Sequence, residues 1–184
     1  MGQSSHNGSA LSRRVSVPTG RGLPDDVLKT MANCGPASLA AYLNKSCVEV
    51  IEKTYAWQEK GWISIKPMLG LLDEFGMPHK SIRTTNEPQL PSEAFDGIDS
   101  GLAFIQFTGP GGNYSGWKAW SLAYSYTHWI AYDDGLVYDF NARHKNGILG
   151  DWISEENWVK DIIPTLLPKN GSGHYVKNIL IQKL

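Results

Sequence analysis

Apolar positions along the chain fall into two regimes. Up to about residue 76 they recur at helical spacing; from about residue 102 they come in short runs separated by turn residues. Val27, Leu28 and Met31 predict a short helix that Asp25 or Asp26 caps. After a break at Ala32-Asn33, residues 37–43 are small and apolar and predict a buried helix. Pro36 suits its first turn, where a missing N–H costs nothing, so Cys34 lies at the helix mouth. Ser46 caps a second helix, 48–60, with Val50, Ile51, Tyr55 and Trp57 on one face and Gly61 as its stop. A third starts at Ser64, carries Met68, Leu71, Leu72 and Phe75 as its stripe, and ends at Gly76.

The later half reads differently. Residues 79–85 and 102–107 predict strands on either side of a connection, 86–100, rich in Pro, Ser and Asp. Residues 109–116 are a glycine-rich loop without the Lys-Ser/Thr of a phosphate cradle. Strands at 126–132 and 136–140 flank Asp133-Asp134-Gly135, a strong hairpin signal. Ser154-Glu155-Glu156 opens a further helix that ends before Pro164, and 175–181 alternates well enough to close the sheet. Helices first and antiparallel strands afterwards predict an α+β fold. Its extent is one domain over 23–184, preceded by a flexible Ser/Gly-rich arm, 1–22.

Composition narrows the partners. The 184 residues are 41% hydrophobic and 19% charged, which is globular, and the net charge of −1 offers nothing to a nucleic-acid backbone or an anionic membrane. No apolar run is long enough to span a bilayer and no secretory h-region stands at the N-terminus, so a cytoplasmic location is the expectation. Two cysteines, Cys34 and Cys47, make no disulfide framework, and no His/Cys spacing suggests zinc. No metal or organic cofactor is called for. Seven tryptophans predict core packing together with an aromatic-lined groove, for which Trp62 and Trp129 are the candidates.

Cysteine attacks as a thiolate, and a helix N-terminus favours that charge. Gly35 lets backbone approach a bound carbonyl, and the Cys34 N–H points at the developing oxyanion. Of five histidines, His6, His79, His144 and His174 fall in the arm or in loops, whereas His128 opens a strand. A base needs a third group on its other ring nitrogen. A two-residue Asp134-Gly135 turn pairs 128 with 141 and 130 with 139, so Asn141 is opposite His128 and Asp139 diagonal to it. A one-residue slip brings Asp139 opposite, so both remain candidates.

Asn33-Cys34-Gly35-Pro36-Ala37-Ser38-Leu39-Ala40 resembles the nucleophile motif of the C39-like, bacteriocin-processing type of papain-fold peptidases. Gly61…Met68…Leu72…Gly76 is similar to that family's second helix region, and Thr127-His128-Trp129-Ile130 with Val137-Tyr138-Asp139 to its His and Asp strands. The likeness covers about 24–142 and implies a papain-like fold, a Cys34–His128–Asp139 triad and cleavage of a peptide or related amide. Peptide or protein substrates are the implied partners. Two positions depart from the family. Leu28 stands where an oxyanion-stabilising Gln is usual, leaving Asn33 as a possible substitute, and Phe140 stands where Pro usually follows the Asp. The first departure keeps a second reading open, a papain-like domain that binds peptide without cleaving it. Transfer of the acyl group to an amine, as in transglutaminases, uses the same three residues.

Overall fold

The structure, a computed structural model, describes residues 23–83, 99–107, 127–143, 149–166 and 175–184. The expected arm at 1–22, nearly all of the 86–100 connection, the 109–116 loop, and His6, His144 and His174 lie outside those residues. The fold is α+β: among the described residues, five helices precede an antiparallel sheet.

The helices are α1 (Val27–Thr30), α2 (Cys34–Leu43), α3 (Cys47–Lys53), α4 (Tyr55–Lys60) and α5 (Ile65–Glu74). Only Val27 of α1 is buried; Leu28 and Met31, expected beside it, are 59% and 82% exposed. The helix stops after one turn because Met31 takes a left-handed backbone, and Ala32 after it is buried in the core. Asp26 does not cap α1 with its side chain. Its carboxylate instead accepts the first N–H groups of α3, Cys47 N at 2.8 Å and Val48 N at 2.8 Å. Ser46 adds a reciprocal capping box with Glu49 there, so α3 has both kinds of N-terminal support. The single helix expected over 48–60 is two, broken at Thr54, whose hydroxyl bonds back to the Val50 carbonyl at 2.6 Å. Gly61 ends α4 with φ +71°, as its sequence position predicts. Ser64 precedes α5 without a side-chain cap, while Met68, Leu71 and Leu72 are buried as expected and Phe75 is half-buried.

The strands are β1 (His79–Arg83), β2 (Ser100–Phe107), β3 (Thr127–Asp133), β4 (Leu136–Arg143), β5 (Leu149–Ser154) and β6 (Tyr175–Lys183), in the order β1-β6-β2-β3-β4-β5. Central strands β2 and β3 are buried on both faces, which is why they read as unbroken apolar runs. One face, carrying Leu102, Phe104, Trp129, Ala131 and Tyr138, packs against the N-terminal helices. The other, carrying Ala103, Ile105, Ile130, Tyr132 and Val137, packs against the segment after β5.

That segment runs from α6 (Glu155–Asn157), capped by Ser154 Oγ, through a π-helical turn (Trp158–Ile162) into α7 (Ile163–Leu166). Pro164 does not end the helix as expected. A proline ring clashes with the carbonyl four residues back, and the wider π turn, closed by Ile163 N–H to Trp158 C=O, makes room for it.

The β3–β4 hairpin turns on Asp134-Gly135, both at positive φ (47° and 76°), a two-residue I′-type turn. Asp133↔Leu136, Tyr132↔Val137 and Ala131↔Tyr138 pair, and then the ladder stops. Beyond Ala131 the strands part, and the opening holds the candidate site.

Candidate active site

Helix α2 enters the opening from the helical layer. The tight turn places the N–H and C=O of odd-numbered β3 residues toward β4. At Trp129 no β4 partner is there to receive them. The carbonyl accepts from Ser38 Oγ at 3.0 Å, and the N–H is directed at Cys34 Sγ. So α2 replaces a piece of strand β4, and this wedging docks the thiol against the sheet. Ser38 and Trp129 satisfy each other in the core, as buried polar groups must.

Asn33 is the N-cap of α2. Its Oδ1 accepts from Gly35 N at 3.3 Å and its Nδ2 donates to the Gly61 carbonyl, tying the start of α2 to the end of α4. It lines the cavity described below, and one N–H of its amide is engaged in holding the backbone. Leu28, at the position where that donor is usual, is apolar and points outward. The Cys34 N–H lies at the first helical position, where a helix offers no intrahelical acceptor.

His128 is buried, and its Nε2 meets Asp139 Oδ2 at 2.9 Å. With Nε2 so engaged, Nδ1 is the nitrogen left to face Cys34, and ring and thiol lie within hydrogen-bond reach. Asp139 is fully buried and fully used. Oδ2 also accepts from Trp158 Nε1 at 2.7 Å, and Oδ1 accepts from Asn141 N at 2.7 Å and Asn141 Nδ2 at 3.1 Å. Asn141, expected as a rival partner of His128, is exposed and instead braces Asp139. The reason is the parting of β3 and β4. Its direct cross-strand position opposite 128 exists only while the ladder continues, and the ladder has ended at Tyr138.

The charges follow from this chain of contacts. Burial by itself pushes the Cys34 thiol up. The charge and hydrogen bond of His128 and the Trp129 N–H outweigh it, so its pKa is lowered. Burial likewise opposes a charged imidazole, but Asp139 and then Cys34 raise the His128 pKa to about 10. Burial would also raise Asp139, yet His128, the Asn141 N–H and the Trp158 indole hold it below the ordinary carboxylate value. The directions agree on a thiolate–imidazolium–carboxylate arrangement. Cys47 is the contrast: buried beside Asp26, its pKa is raised to about 12.

A cavity of about 380 Å³ opens over Cys34. Trp129 forms its wall, fixed by an indole hydrogen bond to the Ile63 carbonyl at 2.8 Å and by a tilted contact with Phe104, ring centroids 4.9 Å apart. Trp62 forms the rim and is 47% exposed, while Gly35 lies on the floor beside the thiol. Ile63, Phe104 and Thr127 complete the lining; of these the sequence marked only Thr127, as the neighbour of His128. Trp152 is not part of this lining; it packs on Tyr138 within the core. Among the described residues no group of three or more His, Cys, Asp or Glu side chains gathers as a metal site. No helix among them is long and apolar enough to cross a membrane.

Compared with family models, with curated proteins and with solved structures, the chain finds no match.

Proposed function

We propose that this chain is a papain-like cysteine hydrolase that cleaves a peptide or related amide. The observation that carries the reading is the continuous chain from Cys34 through His128 to a buried, fully hydrogen-bonded Asp139. A buried carboxylate is costly, and one that meets a buried histidine beside a half-buried thiol is accounted for by the chemistry of a nucleophile and its base.

In this reading the Cys34 thiolate attacks the amide carbon and the carbonyl π electrons move to oxygen, where the Cys34 N–H receives the charge. As the oxyanion collapses, the C–N bond breaks and His128 Nδ1–H protonates the leaving amine, which gives a thioester. Water then attacks the thioester, losing a proton to His128, and the acid leaves as the thiolate re-forms. Asp139 stays ionised and holds the ring in place. An amine in place of water gives acyl transfer by the same steps.

The exposed, apolar Leu28 favours a second reading. Loss of one oxyanion donor typically costs about 10²–10³ in rate, so the domain could grip a peptide in its aromatic cavity without turning it over. The test is alkylation of the folded protein from about pH 4 to about pH 9, with both cysteines mapped by mass spectrometry in wild type and His128→Ala. Hydrolase chemistry requires Cys34 to react rapidly well below pH 8 and His128→Ala to remove that advantage. Two ordinary thiols in both proteins would rule the hydrolase out and leave ligand binding to be tested at the cavity.

A further inference from the structure

Strand β4 alone does not account for how Asp139 is held. By strand alternation His128 shares a face with Ile130 and Tyr132, and Asp139 shares one with Val137. This is the face covered by the segment after β5, opposite to the layer that supplies Cys34. From that covering segment a completely buried Trp158 sends its indole N–H to Asp139 Oδ2, the same oxygen that His128 uses. Trp158 is the first residue of the π turn, and its own carbonyl closes that turn by accepting from Ile163 N–H. Single π turns occur often at functional sites because the extra residue re-aims a side chain. Here the ring is packed among Ile130, Val137 and Ile163, which leaves it little freedom to turn its N–H elsewhere.

We propose that Trp158 is a positioning residue of the site: the π turn aims its indole at Asp139 and thereby fixes the carboxylate against His128. The inference rests on the hydrolase reading and deepens it, since it gives the segment 155–166 a part in the chemistry. Oδ1 is secured by Asn141 from the same strand, but Asn141 is exposed and its bonds compete with water. Apart from His128 itself, Oδ2 is secured, among the described residues, only from across the layer. Among the described residues, the charged or titratable groups around Asp139 are His128 and, through it, Cys34 on one side, Tyr138 next to it in the strand, and Asp151, its cross-strand partner on β5, on the other. A carboxylate next to Asp151 that loses a donor takes up a proton more readily. Once neutral it no longer supports the imidazolium, and the thiolate is lost earlier as pH falls.

The experiment follows Cys34 alkylation against pH in the full chain, comparing wild type with Trp158→Phe, Asp139→Ala and the double variant. Phe keeps the ring and removes the N–H. Trp158→Phe should move the acid limb of Cys34 reactivity up by about half to one pH unit, and should move nothing in the Asp139→Ala background. An unmoved limb, or equal shifts in both backgrounds, overturns the proposal. A second measurement needs no change at Trp158. In protein labelled at the indole nitrogens, one indole N–H resonance should follow the pH midpoint of Cys34 alkylation and be displaced by Asp139→Asn. Indole resonances indifferent to both would also overturn it. His128→Ala separates the two levels: if it leaves Cys34 reactivity unchanged the hydrolase reading fails, and if only Trp158→Phe is without effect the positioning role fails alone.

Discussion

Cys34 and Cys47 are the same residue type about three helical turns apart in sequence, and their surroundings drive them in opposite directions. Cys34 has a histidine and a backbone N–H aimed at its sulfur, whereas Cys47 is buried next to a carboxylate that already serves the backbone of α3. A thiol with a pKa of about 12 is ionised in roughly one molecule in 10⁵ at pH 7. Cys34 should therefore be alkylated at least about 100-fold faster than Cys47 near neutral pH, read by peptide mapping of the native protein. Asp139→Asn keeps the shape and removes the charge that holds His128 protonated. It should slow Cys34 alkylation below pH 7 by about 10-fold or more; equal rates would remove Asp139 from the mechanism.

At the scale of elements, the site exists because α2 displaces strand pairing between β3 and β4. Ser38 is the peg. Ser38→Ala leaves the buried Trp129 carbonyl without its donor and should cost about 1–3 kcal/mol in urea unfolding at an unchanged slope. It should also slow Cys34, because Trp129 lends its N–H to the sulfur. A comparable loss of stability with full thiol reactivity would show that docking and chemistry are separable. Further along, Gly150 sits at φ +86° with its back against Tyr138: an added Cβ would lie 2.1 Å from the Tyr138 hydroxyl oxygen. Gly150→Ala should destabilise by at least about 1 kcal/mol through both strain and overlap, measured in the same titration.

For the whole molecule, the buried charges set a pH window. Asp139 has a lowered folded pKa. Its stabilisation is therefore present above the unfolded value of 3.8 and is lost as pH falls through the folded one. The pKa of His128 is raised, so its contribution is complete below the unfolded value of 6.5 and drains away as pH rises toward about 10. Cys34 acts the other way: its pKa is lowered, so its contribution grows as pH rises toward the unfolded value of 9.0 and offsets the His128 loss. Thermal stability should therefore peak between about pH 6.5 and about pH 9 and decline on both sides. Cys34→Ala should bring the start of the alkaline decline down toward about pH 6.5, and a profile that it leaves in place would assign that limb to other groups.

Much of this was readable in the chain. Gly61 and Asp134-Gly135 need positive φ, which few residues tolerate, so their turns were local facts. The capping box at Ser46, the stripe of α5 and the apolar runs of β2 and β3 follow equally from spacing, as does the placing of Cys34 at a helix mouth. Local sequence even put Asp139 and Asn141 on the face of His128. It could not choose between them, because the choice depends on where β3 and β4 separate, and that is decided by a helix 90 residues earlier in the chain that offers Ser38 to Trp129. For the same reason Asp26 looked like the cap of its own helix and proved to cap α3, and Pro164 looked like a stop until the π turn made space. Nothing in the sequence aimed Trp158 at Asp139, since an indole N–H acquires a role solely from what the fold sets in front of it. Sequence determined the elements and the chemical types available, because those depend on neighbours within a few residues. Tertiary structure decided which polar groups meet, because buried donors and acceptors take their partners from wherever packing brings them.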